Sequence, residues 1–193
     1  MTTTPQQSDA QPAHAIGQGA MWVYIVGDLF IFGGWFVFYL VYRSLDPATF
    51  FTSQAQLNQT MGMINTLILL ISSWQIALCV NAAREGRFEA ATRNAWWTIA
   101  LGTVFAASKL FEWSHGMAAG HTFTTNHFFM FYYFLTAIHL FHVICGFIVL
   151  GVLVRNLGTP ELRSQVVTEN CAAYWHMIDL LWVVIFALLY LMR

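Results

Sequence analysis

Five apolar stretches, each about long enough to cross a bilayer, constrain this chain of 193 residues more than any other feature. A crossing helix needs about 20 mainly apolar residues, and such stretches lie at 21–43, 62–83, 94–115, 127–155 and 172–192. Only 9% of the residues are charged, against about a quarter in a soluble domain. The sequence therefore predicts an all-α integral membrane bundle of five transmembrane helices within residues 21–193, preceded by a disordered polar tail at residues 1–20.

The positions of the arginines predict the orientation of the bundle. With five crossings, the tail and the second and fourth connections lie on one side, and that side holds Arg84, Arg87, Arg93, Arg155 and Arg163. The other side holds Arg43 and Arg193. Because cytoplasmic connections carry the excess of basic residues, we expect a cytoplasmic N-terminus and an outer C-terminus. Aromatic residues near the ends of the stretches, among them Trp96 and Tyr190, are either anchors at the interfaces or residues packed within the bundle.

Charge and cysteine content argue against several classes of function. The net charge of −1 gives no sign of a nucleic-acid partner. The three cysteines, Cys79, Cys145 and Cys171, are isolated from one another, so neither a disulfide framework nor a cysteine metal site is indicated.

Ionisable side chains inside the apolar stretches mark the candidate functional region. Such groups are costly in hydrocarbon unless they are paired or face protein. At a rise of about 1.5 Å per residue, five of them fall in one layer near the cytoplasmic face, namely Asp28, His139, His142, His176 and Asp179. Residues three apart share a helix face. We therefore expect His139 and His142 to face the same neighbours, and His176 and Asp179 to do so too. Asp28 is expected to be protonated or paired with His142 or His176.

A second group of ionisable residues is predicted nearer the outer surface. Lys109 and Glu112 lie three residues apart in the third stretch, so they can neutralise each other on one helix face. The simplest interpretation of the two side chains is a structural ion pair within the membrane.

Three interpretations of the cytoplasmic layer remain open. The groups could hydrogen-bond between helices, handle protons or lipid headgroups, or bind a metal or haem. His139 and His142 could present two imidazoles together, and Glu112 and His115 have the Glu-x-x-His spacing of di-iron bundles. That design requires a second such motif and two further glutamates at one depth, which the chain lacks. We therefore predict no metal ligand and no catalytic residue.

Two motifs resemble the signatures of subunit III of the haem-copper oxidases. The run from His139 through His142 to Gly146 resembles H-x-x-H-V-x-x-G, and the run from Trp175 to Trp182 resembles W-H-x-x-D-x-x-W. Further positions match the same family, namely Asp28, Asn65, Thr66, Glu112 and Glu169. The resemblance covers residues 21–192 and points to the five-helix form of the family.

The resemblance implies a non-catalytic accessory subunit that supports assembly, stability and proton uptake. Its partner would be the catalytic subunit of a haem-copper oxidase or nitric oxide reductase in a bacterial cytoplasmic (inner) membrane. Lys109 before Glu112, and the aromatic run before His139, look most like the subunit-III-like protein associated with bacterial nitric oxide reductases. Haem and copper or iron would belong to the partner, whereas this chain could bind phospholipid. The alternative is a free-standing membrane helper for maturation or activity of nitric oxide reductase.

Overall fold

The computed structural model of the protein describes the backbone of residues 15–192 and the side chains of residues 19 and 21–192, and this part of the chain is helical without any strand. The helices are α1 (Ala15–Leu45), α2 (Pro47–Gln54), α3 (Gln59–Arg84), α4 (Phe88–Ala118), α5 (His127–Gly158) and α6 (Gln165–Phe186). A 3-10 turn lies at Pro160–Leu162, and a π-helical turn at Ala187–Leu191 continues α6. The predicted all-α class is confirmed for the described residues.

Four helical segments are long and apolar enough to cross a membrane, namely Met21–Leu45, Gln59–Arg84, His127–Gly158 and Gln165–Leu191. They correspond to the first, second, fourth and fifth predicted spans, so the chain is a multi-pass membrane protein. The third predicted span, at 94–115, lies within α4 but is not among these four. Its lower hydropathy follows from Lys109, Glu112 and several tryptophan, serine and threonine residues.

The start of α1 changes the predicted boundary of the N-terminal tail. The helix begins at Ala15, so residues 15–20, which were predicted to be disordered, are helical. Residues 1–14 of the predicted tail lie outside the described residues.

Side-chain caps mark where α2, α3, α5 and α6 begin. Asn58, Asn126 and Ser164 each accept a hydrogen bond from the backbone N–H three residues further on, which satisfies one of the free N–H groups of a helix start. Asp46 caps α2 in the same way through Thr49. The hydrogen bonds from Thr49 also lower the pKa of the exposed Asp46 carboxyl.

Glycine allows two of the tight turns between helices. Gly86, with a φ of 74°, ends α3, and Gly120, with a φ of 86°, follows α4. In both turns the N–H after the glycine bonds back to a carbonyl five residues earlier, as in the usual glycine helix stop. The two turns let α3, α4 and α5 pack as successive hairpins.

Trp175 of α6 lies at the centre of the core. A Cβ atom added at Gly102 of α4 or at Gly146 of α5 would lie 2.8 Å from this indole ring, so only glycine lets these two helices approach it. In the most apolar part of α6, 67% of the residues are buried, whereas in that of α1 17% are buried. The helices α3–α6 therefore form a close-packed block, and α1 packs at its edge.

Candidate functional site: two buried polar clusters

Asp28 of α1 and His142 of α5 form a pair between helices. The Asp28 Oδ2 atom lies 3.1 Å from His142 Nε2, and the two side chains are 14% and 12% exposed. The edge of the Phe32 ring packs against the imidazole at 5.3 Å between ring centroids. The pair is thus mostly enclosed and links the peripheral helix α1 to the block.

The second ring nitrogen of His142 constrains the proton content of this pair. Its Nδ1 atom lies 2.8 Å from the carbonyl oxygen of Ile138. A carbonyl can only accept, so Nδ1 carries a proton. Nε2 and Asp28 Oδ2 lie close together without a well-formed hydrogen bond, and their approach is favourable when one further proton lies on either the imidazole or the carboxyl. In both cases the pair is electrically neutral, which suits a site within the membrane.

His176 and Asp179 of α6 both lie close to α3. His176 Nδ1 is 2.7 Å from the hydroxyl oxygen of Ser73, and the same hydroxyl also approaches Asp179. Asp179 is 3% exposed, and neither of its carboxyl oxygens has a well-formed hydrogen bond within the described part of the chain. These two residues do share neighbours, as their spacing predicts.

His139 is fully buried in the block, away from α1. Its ring packs against Phe105 and Trp182 at 5.6 and 5.2 Å between centroids, and neither ring nitrogen has a hydrogen-bond partner among the described residues. His139 and His142 therefore face different helices, although we expected them to face the same neighbours. Three residues turn a helix by about 300°, and the remaining offset of about 60° is enough to separate the two rings.

The second cluster surrounds Lys109, which is 1% exposed. Its Nζ atom lies 2.9 Å from Glu112 Oε2 and donates to the hydroxyl of Tyr190 at 2.7 Å. A longer contact of 3.4 Å reaches the hydroxyl of Tyr132. The Tyr190 hydroxyl donates in turn to Glu112 Oε1 at 2.6 Å. The ring faces of Tyr132, Tyr190 and Trp182 lie within 5.2 Å of the ammonium group, so the cation is enclosed by its partners.

The tyrosines of this cluster were not found from the sequence. Of the two interpretations left open for Tyr190, packing within the bundle is the correct one, because the residue is buried and its hydroxyl completes the ion pair. The ammonium group of Lys109 has three donors, and Glu112 supplies only part of what they need. The donors that Glu112 leaves unused could have predicted hydroxyl acceptors at a similar depth on neighbouring helices.

Most of the remaining family-motif residues hold helices together. Trp182 donates from Nε1 to Thr66 at 3.1 Å, and Trp175 donates to Ser72 at 3.0 Å. Glu169 accepts two bonds from Arg84 at 3.2 and 2.9 Å near the surface. Asn65 is fully buried, and its amide atoms have no hydrogen-bond partner in the described region.

The arrangement supports proton chemistry and helix packing. His115 stacks on Phe111 at 6.4 Å between centroids, and no three His, Cys, Asp or Glu side chains of the described residues are grouped as metal ligands. The pair of Asp28 and His142 places a carboxyl and an imidazole, two groups that can each carry a proton, 3.1 Å apart.

Comparison with known proteins identifies the family. The sequence model of the family "Cytochrome c oxidase subunit III" matches residues 13–193. The chain is 32% identical to cytochrome c oxidase subunit 3 of Synechocystis, covering 99% of this chain and 82% of that protein. It is 27% identical to quinol oxidase subunit 3 of Bacillus spizizenii, covering 89% and 84%. A third relative, the heme-copper oxidase subunit I+III of Aeropyrum pernix, is 27% identical over 90% of this chain and 22% of its own length. The chain belongs to the cytochrome c oxidase subunit III family.

Proposed function

We propose that this protein is a non-catalytic accessory subunit that binds beside the catalytic subunit of a haem-copper oxidase. The observation that carries this proposal is the match to the subunit III family over residues 13–193. The Aeropyrum pernix relative, whose name joins subunits I and III, supports subunit I as the partner. On this proposal, haem and copper belong to the partner.

The proposal includes five crossings of a bacterial cytoplasmic membrane, with the N-terminus in the cytoplasm. The lower hydropathy of α4 is compatible with a crossing, because its lysine and glutamate are enclosed by other helices and do not face lipid. Single cysteines introduced at Glu85 and at Thr122, in a chain with the three native cysteines replaced, test the topology. A membrane-impermeant maleimide should label the first only from the cytoplasmic side and the second only from the outside. Labelling of both from one side would exclude α4 as a span.

The decisive experiment is purification of the tagged chain from its native membranes in mild detergent. We expect a haem-containing partner to elute with it and the absorption spectrum of the complex to show that haem. Elution of the chain alone would favour a free-standing helper. Iron or copper bound stoichiometrically by the isolated polypeptide would contradict a non-catalytic role.

Within the complex, Asp28 is proposed to help proton uptake by the partner. Its one-proton pair with His142 lies at the edge of the block, where a neighbouring subunit has access to it. The Asp28→Asn variant should assemble with spectrally normal redox centres but lose activity faster during turnover. Unchanged turnover lifetime in an assembled complex would contradict this role.

A second candidate partner is a nitric oxide reductase. It is favoured by Lys109 before Glu112 and by the aromatic run that contains Tyr132, the features that resemble the reductase-associated branch. The purified complex distinguishes the two candidates, because an oxidase consumes oxygen whereas a reductase consumes nitric oxide. Activity towards oxygen alone would exclude the second candidate.

A further inference from the structure

A cavity lined mainly by aromatic side chains lies between α1 and α5. Its volume of about 420 Å³ falls within the range of about 300–1,000 Å³ for sites that bind small molecules. The lining residues come from α1, from α5 and from the connection before α5, namely Trp35, Phe38, Tyr42, Phe123, Met130, Phe131 and Phe134. The side chains of Phe38 and Phe123 are 56% and 51% exposed, and α1 is a membrane-spanning helix. A ligand of this cavity therefore has to dissolve in the bilayer.

Two hydrogen-bond donors in this lining have no acceptor. Neither the indole N–H of Trp35 nor the hydroxyl of Tyr42 forms a hydrogen bond within the described part of the chain. Trp35 lies about 15 Å of helix before Leu45, the last residue of α1, and so near the middle of a hydrocarbon core about 30 Å thick. Water does not hydrogen-bond groups at that depth, and an unpaired polar group in hydrocarbon is costly. The N–H of Trp35 therefore calls for an acceptor on a bound molecule.

Aromatic contacts with α5 hold both donors in position. The ring of Trp35 meets Phe134 edge-on at 4.5 Å between centroids, and the ring of Tyr42 meets Phe131 in the same way at 5.4 Å. Seven residues make nearly two helical turns, so Trp35 and Tyr42 lie on one face of α1, about 10.5 Å apart along its axis. Phe38 lies between them in the chain and packs against Trp35 at 5.8 Å. The cavity thus has one donor towards each end and aromatic rings along its walls.

We propose that this cavity binds the ring of a membrane-soluble para-quinone, with one ring carbonyl accepting from Trp35 and the other from Tyr42. The two carbonyl oxygens of such a ring are about 5 Å apart, and a hydrogen bond of about 2.9 Å at each end extends this to about 11 Å, which matches the separation of the donors. The flat ring also packs well against aromatic walls. A lipid acyl chain fits the walls but offers no acceptor at the depth of Trp35. The proposal uses residues of this chain alone and does not depend on the function proposed above.

The test is a titration of para-benzoquinone carrying a decyl tail into the purified, delipidated chain in detergent, followed by native mass spectrometry. The double variant Trp35→Phe/Tyr42→Phe keeps both rings and removes both donors. It should bind the quinone about 25-fold more weakly, because each hydrogen bond contributes about fivefold. The matched control is Tyr24→Phe/Trp74→Phe, which removes the same two groups from positions that are 48% and 63% exposed and lie outside the cavity. The control should bind as the unchanged chain does.

Two further measurements keep the proposal falsifiable. Decylbenzene, which has the ring and the tail but no carbonyl, should not displace the quinone at equal concentration. The infrared carbonyl band of the bound quinone should lie at lower frequency than that of the free quinone, and Tyr42→Phe should return one of the two carbonyls towards the free value. Equal binding by the double variant, displacement by decylbenzene, or an unshifted carbonyl band would overturn the proposal. Displacement by decylbenzene would also identify the cavity as a site for apolar chains. Because the titration uses the isolated chain, its result does not depend on whether an oxidase co-purifies.

Discussion

The two buried ion pairs differ in how completely their surroundings enclose them. Lys109 and Glu112 lie on one helix and are 1% and 9% exposed, with the Tyr190 hydroxyl bridging them. Asp28 and His142 come from two helices and are 14% and 12% exposed, at the edge of the block. The first pair has nearly every donor and acceptor in use. The second needs one proton between two atoms and can hold that proton on either.

This difference indicates which pair is structural and which can respond to a partner. A fully enclosed ion pair is costly to disturb, because removing one member leaves a buried charge without compensation. The pair of Asp28 and His142 is uncharged when the proton lies on the carboxyl, so its rearrangement need not leave a charge in hydrocarbon. We therefore interpret the lysine cluster as a fixed part of the helix packing and the Asp28 pair as the adjustable site.

The largest expected effect is that of Lys109→Met, which leaves the Glu112 carboxylate buried without its cation. Loss of one member of a buried pair costs about 3–5 kcal/mol, so we expect a strongly lowered midpoint of thermal unfolding in detergent. The double variant Lys109→Met/Glu112→Gln should recover part of the loss, because neither charge then remains. A single variant as stable as the unchanged chain would show that the pair is not enclosed.

Tyr190→Phe tests whether the tyrosine hydroxyl completes the lysine cluster. It removes one acceptor from Lys109 and one donor from Glu112, and hydrogen bonds to charged groups contribute about 1.5–3 kcal/mol. Tyr132→Phe is the matched control, since its contact to Lys109 is longer, at 3.4 Å. Chemical unfolding in mixed micelles should show a clearly larger loss for Tyr190→Phe. Equal losses would mean that the bridge has no special role.

Gly146→Ala tests the contrast between the block and its edge. The added Cβ would meet the Trp175 ring at 2.8 Å, and overpacking a core costs about 1–3 kcal/mol. Gly33→Ala on α1 is the control, because no atom lies within 4 Å of the added Cβ. We expect lower thermal stability only for the first variant, measured by loss of monomer on size-exclusion chromatography after heating. If both variants behave alike, α5 is not packed as closely as described.

The smallest effect on stability is expected at the edge. Asp28→Asn should lower the free energy of unfolding by less than Lys109→Met does, because the asparagine amide can still donate to His142 Nε2 and leaves no buried charge without a partner. Infrared difference spectra at the carboxyl stretch can then show where the shared proton lies. If the proton is on Asp28, a protonated carboxyl band disappears in Asp28→Asn. A stability loss as large as that of Lys109→Met would remove the distinction between the two pairs.

The sequence predicted the positions of the helices and the depth of their ionisable residues. It did not predict how each helix is rotated about its own axis. The apolar stretches located four membrane-crossing helices, and matching depth placed Asp28 and His142 where the structure brings them to 3.1 Å. Which way a side chain faces depends on how its helix is rotated against its neighbours. That rotation follows from contacts such as Gly146 against Trp175, which involve residues distant in the chain. His139 therefore faces α4 and α6, whereas His142, three residues further on, faces α1.

The helix α4 shows a second limit of composition. Hydropathy averages a whole stretch, so Lys109 and Glu112 lower the value for α4 even though other helices cover both side chains. Only the packed structure shows that the hydroxyls of Tyr190 and Tyr132 accept hydrogen bonds from Lys109. The resemblance to subunit III identified the family correctly, but it carried no information about these contacts.

The bond between Lys109 and Tyr190 also has a consequence for biosynthesis. The two residues are separated by 81 positions, so at about 5–20 residues per second the lysine is made several seconds before its acceptor. During that interval the ammonium group of Lys109 in the nascent chain lacks the hydroxyl of Tyr190 as a hydrogen-bond partner. A chain that ends before Tyr190 therefore lacks the hydroxyl that bridges Lys109 and Glu112.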